Sequence, residues 1–152
     1  MAKNTIKVKN YSDVNEEIGA GGTITPGMLV ELGSAGTVTA HANAGKTVLP
    51  MFAVEDELQG GSIDDDYSSG DKVGVWIPGR GDQVYALLAD GQTAVIGDFL
   101  ESNGDGYLKV WAPESSAVTD TPFSVVGQAT EALDLSGSSG EETTQRIIVR
   151  II

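Results

Sequence analysis

The chain has one histidine, His41, and no cysteine. A Ser-His-Asp relay would have to run through that imidazole. It stands inside an alternating segment, residues 37–42, with no nucleophile motif beside it. No G-x-S-x-G elbow, H-E-x-x-H helix, P-loop or dinucleotide fingerprint occurs. With 22 acids among 152 residues, paired carboxylates arise anywhere, so pairing alone does not argue for glycoside hydrolysis. The expectation is a protein that is not an enzyme.

The remaining constellations are ones that bind. Asp64-Asp65-Asp66, with Ser68, Ser69 and Asp71, offers hard oxygen ligands of the kind calcium takes. It lacks the spaced acids of an EF-hand loop, so a solvated acidic loop over 55–71 is expected, with seven acids, no base and no cofactor. Arg80-Gly81-Asp82 matches a short adhesion tripeptide, but Gly79-Arg80-Gly81-Asp82 reads first as a β-turn. Trp76, Trp111, Tyr85 and Tyr107 would make a sugar-stacking platform if they shared an exposed face; core or subunit packing is the expected alternative.

The elements that must position these residues are strands. Val73, Val75 and Ile77 alternate with Lys72, Gly74 and Trp76, the period of a half-buried strand. Val84-Tyr85-Ala86-Leu87-Leu88-Ala89 follows as an apolar run. Ala94-Val95-Ile96 leads into Gly97-Asp98-Phe99-Leu100-Glu101. Asn103-Gly104-Asp105-Gly106 then reverses the chain into Tyr107-Leu108-Lys109-Val110-Trp111, because Asn-Gly and Asp-Gly tolerate the positive φ of a hairpin turn. Strands are also expected over 28–32, 37–42, 48–54, 123–129 and 146–152, with Arg146 and Arg150 on one face of the last. Polar loops are expected over 113–122 and 136–144. No window carries a helical apolar stripe.

Residues 96–109, Ile96-Gly97-Asp98-Phe99-Leu100-Glu101-Ser102-Asn103-Gly104-Asp105-Gly106-Tyr107-Leu108-Lys109, preceded by Gly70-Asp71-Lys72-Val73, resemble the small capsid decoration (cement, head-stabilising) proteins of tailed bacteriophages. Ile24-Thr25-Pro26-Gly27-Met28-Leu29-Val30-Glu31-Leu32 and Val126-Gly127-Gln128-Ala129 fit the same resemblance. The matching features are turns and strands, none of them catalytic. The resemblance implies an all-β fold: a compact β-barrel-like or β-tulip body of short antiparallel strands with an extended N-terminal arm. It also implies a structural virion protein on the capsid exterior, bridging major capsid protein subunits as a homotrimer at three-fold and quasi-three-fold positions. The alternative is a carbohydrate- or receptor-binding β module displayed on a virion.

The residues agree with that frame in outline. A net charge of −13 argues against a nucleic-acid partner. No apolar stretch approaches the roughly 20 residues that span a bilayer, so no membrane partner is expected. No apolar signal region follows Lys3, and the expectation is an untargeted protein made in a cytoplasm, which the resemblance implies is that of a host bacterium. Lys3, Lys7 and Lys9 open the chain without an acid among them. Gly19-Ala20-Gly21-Gly22 reads as a joint, dividing an arm (1–23) from a β-rich domain (24–152). A frayed terminus or an ordinary edge strand of the same domain is the equal alternative to the arm. As an arm, its Ile6, Val8 and Tyr11 are the expected contacts with a shell or neighbouring subunit. Deleting residues 1–20 is then expected to leave a folded body that no longer attaches.

Overall fold

Alternating apolar residues and closely spaced turns do build an all-β chain. The computed structural model describes residues 2–113, 124–137 and 145–152. Nearly all of the expected loop 113–122, the strand start at Phe123 and most of the stretch 136–144 lie outside the described residues.

Among the described residues thirteen strands follow in order: β1 Lys7–Lys9, β2 Asn15–Gly19, β3 Val30–Leu32, β4 Val38–Ala40, β5 Phe52–Val54, β6 Lys72–Trp76, β7 Gln83–Leu87, β8 Thr93–Ala94, β9 Phe99–Ser102, β10 Leu108–Val110, β11 Val125–Ala129, β12 Leu133–Asp134 and β13 Arg146–Ile151. A six-stranded antiparallel sheet runs β1-β7-β13-β11-β9-β10. A three-stranded sheet runs β2-β6-β5, and β3-β4 and β12-β8 form two short pairs.

The barrel-like or tulip-like body is not what forms: among the described residues no sheet closes. The six-stranded sheet ends at β1 on one side and at β10 on the other. β10 meets the continuation of β7 at one parallel bridge, Leu88 to Leu108, with Ala89 N–H donating to Leu108 O at 2.8 Å. One bridge is not a ladder. β10 is three residues long and β7 gives way to the Asp90-Gly91 turn, so the continuous register that closure demands is missing.

The extended arm is also corrected. β1 pairs with β7 in register Lys7 to Val84, and all of β2 pairs with β6, from Asn15 opposite Trp76 to Gly19 opposite Lys72. β1 and β2 are therefore edge strands of the body. Two apolar clusters hold the sheets together. One packs Ile6, Phe52, Trp76, Leu100, Leu108 and Ile147 among others. The second packs Ile24, Met28, Val30, Val38, Val73 and Leu87. The β9–β10 hairpin sits close to both. Gly106, at φ +84°, would place a Cβ 3.0 Å from that of Ala40 and 3.2 Å from Met28 Cγ, so only glycine fits there.

Candidate functional site

His41 follows β4, and the fold gives it a hydroxyl and a carboxylate. Its Nδ1 lies 2.7 Å from Ser102 Oγ, and its Nε2 lies 3.7 Å from Glu31 Oε2. Sequence reading did not pair these residues, which come from the middle of β3, the residue after β4 and the end of β9. The row has the composition of a relay but no access. Ser102 is fully buried, His41 is 2% exposed, and Ser102 Oγ also accepts the Gly104 N–H. Around it, Leu29 N–H donates to Gly106 O, His41 N–H to Leu29 O and Gly106 N–H to His41 O. The row clasps the β3–β4 pair to the β9–β10 turn, and its hydroxyl cannot meet a substrate.

The acids behave similarly. Asp82, the last residue of the Arg-Gly-Asp tripeptide, has no exposed surface. Its carboxylate accepts the Tyr11 N–H at 2.6 Å and the Gly79 N–H at 2.7 Å. It therefore pins the N-terminal strand region to the 79–82 turn, and is closed to an adhesion receptor. In the 55–71 loop, Glu55 accepts the buried Ile6 N–H, Asp65 caps Ser62 N–H, and Asp71 caps Ser68 N–H. Those bonds to Ser62 hold Asp65 below the usual carboxylate range. Asp64 pairs at 2.9 Å with Arg146, which is 6% exposed and also donates to the carbonyls of Pro26 and Ile63. Arg146 and Arg150 do alternate onto one face, yet only Arg150 faces solvent. No group of three or more metal-ligating side chains forms among the described residues.

The aromatic residues do not make one platform. Trp76 is fully buried, donates its indole N–H to Ser12 O at 2.9 Å, and carries the Lys7 ammonium 5.6 Å from its ring. Tyr67 and Tyr107 have their phenol pKa raised, chiefly by burial. Trp111 meets a different partner, standing edge-on to Phe99 with centroids 6.5 Å apart and planes at 82°.

That pair belongs to the most exposed apolar feature of the segment carrying the family resemblance. Ile96 is 71% exposed, Val95 53% and Phe99 41%. The turn that displays them is tied down at several points. Val95 N–H donates to Asp98 Oδ2, Asp98 N–H to Val95 O, Gly97 N–H to Ala129 O, and the Gln128 amide to Gly97 O. An apolar ridge held out by this many bonds costs little further ordering when it is covered. Sequence reading missed it because Ala94-Val95-Ile96 has the composition of a buried strand.

The three residues expected to make contacts part company. Ile6 is fully buried within the larger core cluster, and Tyr85 N–H donates to its carbonyl at 2.8 Å. The folded chain cannot offer it to a neighbour. Val8 is half-buried. Tyr11 is 73% exposed with the Lys9 ammonium 5.3 Å from its ring, and remains free to touch a partner.

No family model matches this chain, and no curated protein shows a significant match to it.

Proposed function

We propose that this chain is a structural virion subunit that binds the outer surface of a mature phage capsid and bridges its major capsid protein subunits. The observation that carries the reading is the Val95, Ile96 and Phe99 ridge, backed by Trp111. It is apolar, aromatic-rich and rigidly tethered, and most of it lies in the 96–109 run that resembles capsid decoration proteins. Interface cores have that composition. A subunit that binds only the assembled shell stabilises it by mass action, and a trimer on three-fold positions multiplies that attachment. Tyr11 is a second contact in this reading, and Ile6 is not one.

The alternative of a sugar-binding platform loses Trp76 to the core, and no observation favours it. The test is the copy number of this protein in purified particles of its source, by quantitative mass spectrometry against the major shell protein. A ratio near one to one supports a lattice-coating subunit. A handful of copies, or none, overturns it.

A further inference from the structure

A cleft of about 730 Å³ opens over the Lys72–Gly74 end of the β2-β6-β5 sheet, a size typical of ligand sites. Its floor includes Glu17, Lys72, Gly74 and Val54, and its wall is the 3-10 turn Glu57–Gln59. Gly74 makes the floor deep. It sits in mid-strand without a positive φ, and a Cβ there would lie 3.1 Å from Val54 Cγ2.

One side of this cleft is an open strand edge. Ile77 N–H donates to Val14 O, and Ala20 N–H to Asp71 O. Under antiparallel pairing with β6, the even-numbered residues bond inward, and Asn15 and Glu17 turn their backbone polar groups outward. Among the described residues no strand covers that edge at Asn15 or Glu17.

The lining holds six acids against two lysines. Lys7 is already engaged by Asp13 and Asn15. The Glu17 and Glu57 carboxylates meet no hydrogen-bonding or ionic partner among the described residues, while Glu16, opposite Val75, alternates to the other face of the sheet.

We propose that β2 is a docking edge for an extended basic segment of a partner protein, whose lysines or arginines enter this cleft at every second position. The open edge supplies backbone hydrogen bonds, which only an extended chain can take up in series. Alternation then places one face of the guest strand beside Glu17 and over the Gly74 floor. Unpaired carboxylates select its charge. The inference is independent of the shell-binding reading.

The test is fluorescence anisotropy with a short labelled peptide of alternating lysine and valine, against peptides of alternating glutamate and valine and of the same lysines and valines in two blocks. The alternating lysine peptide binds best. The combined E17Q and E57Q protein binds it about fivefold more weakly, the sum expected of two exposed charge pairs. Gly74→Ala, which raises the floor, also weakens it. Both carboxylates are exposed, so the double variant keeps its fold, checked by circular dichroism. No binding by the wild type, equal binding of the blocked peptide, or unchanged binding by the double variant overturns the proposal. Displacement by spermine at equal charge concentration also overturns it, since that would be attraction for any polycation.

Discussion

The N-terminal strand region and the turn at 95–98 are opposites in a useful way. The first has the sequence of a detachable arm, with basic residues ahead of a glycine joint, yet it is built into the body. Ile6 fills the core, and buried Glu55 and Asp82 hold its backbone N–H groups. The second has the sequence of a strand running into a turn, yet it leaves Ile96 and Val95 in solvent. Apolar composition does not decide which segment faces a partner. What decides is whether the rest of the chain supplies a cavity and hydrogen-bond acceptors for that segment.

The sharpest way to break this contrast is at Ile6. Ile6→Ala is expected to cost about 2–5 kcal/mol, the range for a truncated core isoleucine, read as a lower midpoint in urea unfolding. Deleting residues 1–20 removes Ile6 and both edge strands, and is expected to unfold or aggregate the chain rather than leave an intact body. Next comes Asp82→Ala, which strands the Tyr11 and Gly79 N–H donors and is expected to cost roughly 2–4 kcal/mol by the same measurement. A tripeptide that served only as a surface adhesion motif would show no such loss.

At the other region the expected stability effect is small. Ile96→Ser should shift stability by only about 0.5 kcal/mol, as surface substitutions do, while lowering occupancy on shells lacking this protein. A large stability loss there would place Ile96 in the core and erase the contrast.

The smallest effect is electrostatic. Asp13 is lowered from 3.8 to about 2, first by its hydrogen bond from Lys7 and then by Asn15 and Asn10. Asp134 is lowered to about 2 by bonds from Ser136 and Thr93. A carboxylate depressed in the folded state favours folding above its unfolded value of 3.8, and that contribution is lost as pH falls through about 2. Thermal midpoints should therefore fall across that acid window, with a shallower fall in Asp13→Asn.

Much of the fold was legible in the sequence. Val73 and Val75 alternate and are both fully buried, and Asn103-Gly104-Asp105-Gly106 turns β9 into β10. These signals are local, set by side-chain period and by φ. The parts that misled depend on distant partners. Ile6 bonds to an acid 49 residues away, Tyr11 to one 71 away, and Arg146 to a carbonyl 120 away. Nothing near Asp82 in the chain marks it as buried, and no pattern in Ala94-Val95-Ile96 says which of the three faces water. Closure of a sheet is likewise a property of register across many strands, which is why the barrel expectation failed while the strands themselves stood.

In the proposed function the 95–98 turn docks, while the N-terminal strands serve the core. Hydrogen exchange of the protein, free and bound to purified shells, tests it directly. The prediction is new protection at residues 95–99 and 109–111 on binding, with residues 5–9 already protected in the free protein. Residues 5–9 exchanging freely until the shell is added, with 95–99 unchanged, would contradict it and restore the arm as the attachment device.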